Sequence, residues 1–266
     1  MPTARLNGFD MYYEVAGQGL PLLFVHGGLG GGRGSALFRQ HHMPALAQYA
    51  RVIAFDRRAA GLSETPPAGY NFDGFVADIV ALLDYLGHER TVLMGHSAGG
   101  PQVLQCTLAH PERVRALILS STATQTVNVP PALASLVTFL GTEGLTHLQQ
   151  MFTRPEATPA DQAPVPAAPV EPLAGILQTY LAYHLHGDPL ASRLQDITVP
   201  ALILHGTADT EIPFEAAAYL HAGLPTSALI PFVEGGHSIL VTHAEPYRQA
   251  IIDFLQALAL ESSAAV

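Results

Sequence analysis

The sequence predicts an α/β protein with a mostly parallel central sheet, helices on both faces and an inserted lid. Three observations predict it. Short apolar runs rich in Val, Ile and Leu alternate with longer segments of helical period. Most of those runs are apolar almost throughout, as strands covered on both faces must be. One long stretch, 123–197, carries no strand pattern at all.

The elements follow in order. Asn7-Gly8 separates two β-compatible stretches and reads as a hairpin turn, so the sheet opens with an antiparallel pair. The strand candidates after it are Leu22–Val25, Arg51–Phe55, Thr91–Gly95, Val114–Ser120, Val199–His205 and Ser227–Val233. Between the second and third of these, Phe75, Ile79, Leu82 and Leu86 lie on one helical face that ends at Gly87. Near the C-terminus Pro246 suits a first helical turn, and Ile251, Leu255 and Leu258 form the buried stripe of that helix. The division expected is a core from 1–122 and 198–266 around a lid from 123–197. Within the lid, helical patterns at Pro131–Phe152 and Leu173–His186 flank Pro155, Pro159, Pro164, Pro166, Pro169 and Pro172. Prolines at that density cannot be helix interior and suit a stiff, extended connector. An interdomain linker is the alternative; resumption of the strand pattern beyond favours the lid.

Composition narrows the function. The chain has 266 residues, enough to bury roughly three quarters of its unfolded surface without a disulfide or metal. Its 12 basic residues are all Arg, against 22 acidic ones, and the net charge of -10 opposes nucleic acid and anionic lipid. Cys106 is the single cysteine and cannot form an internal disulfide. The opening MPTARLNGFDMYYEVAGQG lacks the apolar core of a signal peptide, and no run approaches the roughly 18 residues of a membrane span. A cytoplasmic monomer or homodimer with a small-molecule substrate is expected.

The chemistry concentrates at four turns. The strand at Thr91 runs into Gly95-His96-Ser97-Ala98-Gly99 and then a helix-compatible segment, a G-x-S-x-G nucleophile elbow in strand–turn–helix context. The turn strains Ser97, and a side chain at Gly95 or Gly99 would clash with a neighbouring element. A serine hydroxyl needs a base. His237, in Glu234-Gly235-Gly236-His237-Ser238 after the last strand, sits on a glycine-softened loop and is the choice among 13 histidines. His41, His42, His184, His186 and His205 read as structural or surface residues. The orienting acid should follow the penultimate strand, where Asp209 is the choice and Glu211 and Glu234 are lesser candidates. The order Ser97, Asp209, His237 differs from that of chymotrypsin and subtilisin. The oxyanion hole is expected at His26-Gly27-Gly28-Leu29-Gly30-Gly31-Gly32, with N–H groups from Gly28 and Ala98. A phosphate loop is the rival there, but no G-x-x-x-x-G-K-[ST] occurs and Arg33 stands where G-x-G-x-x-G needs its last glycine. No HExxH appears, and neither metal nor cofactor is expected.

These motifs resemble the α/β-hydrolase superfamily over nearly the whole chain, from Arg5 to the final helix. The resemblance rests on His26–Gly28, Gly95–Gly99, the G-x-x-D-x-x-x-P pattern at Gly206–Pro213 and Gly235–His237. Asp56-Arg57-Arg58-Ala59-Ala60-Gly61-Leu62-Ser63 is similar to the D-x-R-G-x-G-x-S loop of lidded members, departing at Ala59, where glycine is usual. The resemblance implies an α/β-hydrolase fold with a cap after the sixth strand, where the proline-rich segment falls. Ser97 departs from the aspartate of haloalkane dehalogenases and epoxide hydrolases. Leu29 and Ala98 depart from the Pro and Trp of proline iminopeptidases.

The leading expectation is a carboxylesterase-like serine hydrolase of small, mostly apolar esters or lactones. Leu29 and the lid residues Leu136, Phe139, Leu140, Leu177 and Tyr180 would face the acyl or alcohol group, although helical spacing fits lid packing equally. Cofactor-free haloperoxidases (perhydrolases) and carbon–carbon bond hydrolases share the triad, and the sequence leaves both open. A ligand-binding protein on the same fold is the non-enzyme alternative.

Overall fold

The computed structural model describes residues 2–28, 34–124 and 189–264. Its eight-stranded sheet has the order β1-β2-β4-β3-β5-β6-β7-β8. The strands are β1 (Thr3–Leu6), β2 (Phe9–Ala16), β3 (Pro21–Val25), β4 (Arg51–Phe55), β5 (Thr91–His96), β6 (Val114–Ser120), β7 (Ala201–Gly206) and β8 (Ser227–Phe232). β1 and β2 form an antiparallel hairpin, and Asn7 and Gly8 both take positive φ, the conformation a two-residue turn of matching twist requires. β2 joins β4 antiparallel, and every later pairing is parallel. The sheet is therefore mostly parallel and opened by an antiparallel hairpin, as the sequence predicts.

The period-2 alternation of the strands explains the layers. Leu23, Val25, Leu93, Leu117, Leu119 and Ile203 point to one face, where they meet α3 (Phe72–Tyr85), α4 (Gly99–Ala109) and α5 (Phe214–Gly223). Leu22, Phe24, Met94, Ile118, Leu202 and Leu204 point to the other. There they meet α1 (Ala36–His41), α2 (Met43–Leu46), α6 (Ile239–Thr242) and α7 (Ala244–Ala264). Each fully buried Leu or Ile contributes about 1.5–3 kcal/mol relative to exposure, so the pattern that names the strands also fastens the helices. Asn71 caps α3 by accepting the Gly74 N–H at 2.8 Å, and Gly87 takes φ +71 just beyond its end. Ile251, Leu255 and Leu258 are all buried on α7.

Five strand ends differ from the sequence expectation: β3 starts one residue earlier, at Pro21, and β5 and β7 each run one residue further, to His96 and Gly206, besides two ends with a plain cause. β7 starts at Ala201 rather than Val199, because Pro200 offers no N–H to the ladder. β8 stops at Phe232, and Val233 stands exposed beyond it. Most of the segment expected as a lid, with Leu136, Phe139, Leu140, Leu177, Tyr180, His184 and His186, lies outside the described residues; so does Leu29. Among the described residues, no helix is long and apolar enough to cross a membrane.

Candidate active site

The carboxyl ends of β5, β7 and β8 bring three distant side chains together. Ser97 leaves β5 at φ +50, a left-handed conformation that costs a non-glycine residue about 1–2 kcal/mol and turns the chain sharply into α4. Such a turn leaves no room beside it. A Cβ on Gly95 would lie 2.7 Å from the Gly99 carbonyl oxygen, and one on Gly99 would strike the Val25 carbonyl of β3. Both Ser97 peptide groups are tied to the exit of β6. Its N–H donates to Ser120 O (3.0 Å), and its carbonyl accepts from Thr122 Oγ1 (2.7 Å) and Gly100 N–H (2.9 Å). These bonds repay the strain with about 0.5–1.5 kcal/mol each.

Ser97 Oγ lies 3.0 Å from His237 Nε2, and His237 Nδ1 lies 2.9 Å from Asp209 Oδ2. The turn after β7 holds Asp209: its Oδ1 accepts the N–H groups of Glu211 and Ile212, each at 2.9 Å. His205, buried at the end of β7, donates through Nε2 to Ile212 O (2.9 Å) and faces Asp209 Oδ2 at 3.4 Å. The histidine loop approaches this turn so closely that a Cβ on Gly206 would strike the Gly235 carbonyl. Burial alone would raise the Asp209 pKa, but hydrogen bonds from His205, His237 and the Ile212 N–H outweigh it and hold the carboxyl well below the carboxylate range. For His237, burial opposes protonation. Its hydrogen bond to Asp209 and the charges of Asp209 and Glu211 prevail, so its pKa lies above the ordinary histidine value. Glu211 Oε2 stands 3.7 Å from His237 Nε2 on the solvent side, and Glu234 is not among the ion-pair partners of His237 in the described residues.

A second histidine in the elbow escapes sequence reasoning. His96 Nδ1 contacts Ser120 Oγ at 3.2 Å, and Ser120 Oγ accepts the buried Tyr247 hydroxyl at 2.9 Å. Its ring centroid is 5.5 Å from that of His237. Burial first, then the His237 charge, push the His96 pKa down to about 3, so that ring stays neutral beside His237. Thr122 is a second such residue.

The glycine turn after β3 is braced from behind. Arg57 Nη2 donates to Gly27 O (2.8 Å) and Gly28 O (2.5 Å), while the Arg57 N–H donates to His26 Nε2 (3.0 Å). His26 Nδ1 must then carry the proton it gives to Gly27 O (2.7 Å), and burial keeps this ring neutral with a pKa of about 3. Gly27 lies against Ser97: a Cβ there would stand 2.7 Å from Ser97 Cβ. Gly28 takes φ +85, and Ala98 opens α4 beside Ser97. Arg57 belongs to the Asp56 loop, whose buried carboxylate accepts from Ser35, Arg39 and the Leu62 N–H. Ala59 takes the left-handed φ of +57 there, a conformation glycine adopts without strain and alanine adopts at about 1–2 kcal/mol. Ala59 packs with Tyr70, Phe72, Phe75 and Ala98, a small apolar cluster next to the elbow. Among the described residues, no three His, Cys, Asp or Glu side chains are grouped to hold a metal ion.

A mostly parallel sheet with a strained serine at the carboxyl end of β5 and an aspartate–histidine pair after β7 and β8 defines a class by fold and geometry. The chain belongs to the alpha/beta hydrolase fold family, whose pattern it matches over residues 21–244. It is 31% identical over 259 residues to the "Putative carbamate hydrolase RutD" of Variovorax paradoxus, covering 92% of this chain and 96% of that one. It is 29% identical over 271 residues to the 2-hydroxy-6-oxononadienedioate/2-hydroxy-6-oxononatrienedioate hydrolase 2 of Pseudomonas putida, covering 93% and 92%. In three dimensions it resembles the enol-lactonase from Burkholderia xenovorans LB400 with a TM-score of 0.79 at 22% identity, over 96% of this chain and all of that one.

Proposed function

We propose that this protein is a serine hydrolase that cleaves small, mostly apolar carboxylic esters or lactones through an acyl-enzyme. The unbroken line from Ser97 Oγ through His237 to Asp209, with links of 3.0 and 2.9 Å, carries the reading. His237 Nε2 takes the Ser97 proton as Oγ bonds to the substrate carbonyl carbon, and the carbonyl electron pair moves onto oxygen. The N–H groups of Gly28 and Ala98 hold that oxyanion. As it collapses, the imidazolium returns its proton to the departing alkoxide, which in a lactone stays tethered to the acyl group. Water, deprotonated by His237, then releases the acid. Asp209 remains ionised throughout and stabilises the imidazolium.

A second reading, hydrolysis of a carbamate or a carbon–carbon bond by the same three residues, is favoured by the names of the two relatives. The experiment compares turnover of p-nitrophenyl acetate, p-nitrophenyl butyrate and a matched aryl carbamate, with and without a serine-directed phosphonate. Ester turnover that the phosphonate abolishes, with its mass added at Ser97 and lost in Ser97→Ala, is the expected result. Faster carbamate turnover would exchange the first reading for the second. A folded wild type inert to all three and unlabelled at Ser97 would favour a ligand-binding role.

A further inference from the structure

The nitrogen of His237 that faces the nucleophile has a second anionic neighbour. Glu211 Oε2 lies 3.7 Å from His237 Nε2, whereas Asp209 holds the opposite nitrogen of the ring. The backbone of Glu211 is fixed beside the histidine, because its N–H donates to Asp209 Oδ1 at 2.9 Å. One carboxylate thus orients the imidazole with one oxygen and anchors the turn bearing the second carboxylate with the other. Their roles differ in kind. Asp209 is fully engaged, by His237, His205 and two backbone N–H groups. The Glu211 side chain is 70% exposed, and its sole ion-pair partner among the described residues is His237.

We propose that Glu211 is a specificity-determining residue that selects leaving groups by charge, favouring those with a cation or an N–H or O–H donor and disfavouring carboxylates. The inference rests on the hydrolase reading above. The leaving-group oxygen, sulfur or nitrogen must reach His237 Nε2 to collect its proton, so the atoms attached to it pass within a few ångströms of Glu211. A positive or donor group there meets an exposed carboxylate, and a negative one meets repulsion. Because Glu211 is exposed, water screens the effect, and exposed pairs of this kind change equilibria by up to about fivefold. The net charge of -10 repels anions generally, but Glu211→Gln changes it by one unit only, so a large response isolates the local contact.

The test uses three thioacetates of similar shape: acetylthiocholine, neutral 3,3-dimethylbutyl thioacetate and anionic 3-(acetylthio)propionate, followed by thiol release. Glu211→Gln should lower the cationic-to-anionic ratio of kcat/KM by about tenfold, with the neutral ester between, and Glu211→Arg should invert the preference. Raising the salt from about 20 mM to about 500 mM should compress the wild-type ratio, because the Debye length shrinks several-fold. A ratio unchanged within twofold in both variants would overturn the proposal, as would equal scaling of all three esters, which would mean that Glu211 acts only through the basicity of His237. A wild type that turns over none of the three and is unlabelled at Ser97 by a phosphonate removes the hydrolase reading and this inference with it. Turnover with an unmoved ratio removes the role of Glu211 alone.

Discussion

Replacing Asp209 by Asn is the substitution whose outcome the geometry determines most fully. Asparagine has the same shape, so packing is kept, but its two ends are no longer alike. Asp209 Oδ1 accepts two backbone N–H groups, from Glu211 and Ile212. The amide must turn its carbonyl to those donors, since its NH₂ would clash with both. The NH₂ then faces His237 Nδ1, which must become an acceptor. That places the ring proton on Nε2, the nitrogen 3.0 Å from Ser97 Oγ, where a lone pair is needed to take the serine proton. The substitution also removes the charge that stabilises the imidazolium during attack. The same change in a serine protease lowers kcat about 10⁴-fold. The two N–H donors here lock the wrong amide orientation, so a loss of about 10³–10⁴-fold is expected, or about 4–5.5 kcal/mol of transition-state stabilisation. Steady-state kinetics on p-nitrophenyl acetate measure it, with circular dichroism to confirm folding and Glu211→Gln as a comparison expected within about tenfold. A folded Asp209→Asn enzyme within tenfold of wild type, with Glu211→Gln or Glu234→Gln crippled instead, would show that the wrong acid had been named.

Three further outcomes are expected. The rate should rise sigmoidally with pH, because His237 must be neutral, and its half-rise should lie above about 6.5, the direction in which Asp209 and Glu211 move it against burial; a profile half-risen below that value, or flat, contradicts the assignment. Thr122→Val deletes the hydroxyl that donates to the Ser97 carbonyl and should lower stability by about 0.5–1.5 kcal/mol and kcat by about three- to thirtyfold, while Thr122→Ser restores both; urea melts and kinetics decide, and an unchanged kcat rejects the positioning role. Gly27→Ala puts a methyl against Ser97 Cβ, and kcat should fall about 10²-fold in a folded protein, as displacements near 1 Å do; a fall under threefold would show that the elbow can yield.

How much of this was legible in the sequence depends on the range of the forces involved. The strands were readable because burial on both faces writes a continuous apolar run, and Arg51–Phe55 and Val114–Ser120 occur with the expected ends. The elbow was readable because its glycines answer to steric limits within five residues. The structure brings Ser97, Asp209 and His237 within hydrogen-bonding distance, as the position of each after its strand suggested. Thr122 and Tyr247 left no such trace. Thr122 reaches a carbonyl 25 positions away and Tyr247 a hydroxyl 127 positions away, and neither separation has a periodic signature. Ala59 shows the converse: the motif asks for glycine, yet the surrounding bonds, among them its N–H to Glu64 O at 3.1 Å, hold alanine in the same conformation.

The strands bearing the three site residues are unequally secured. β5 is bonded to β3 and β6, and β7 to β6 and β8, but among the described residues β8 is bonded on one side only, and all of it except Phe232 is exposed or half-buried. Ser97 and Asp209 therefore hang from the interior of the sheet, and His237 hangs from its margin. An excursion that peels β8 away breaks one ladder and withdraws His237, while the rest of the sheet keeps its amide protons from exchange. In a mild denaturant such a molecule would fall silent before it melts, and the lifetime of its activity would be written in the margin strand rather than in the core.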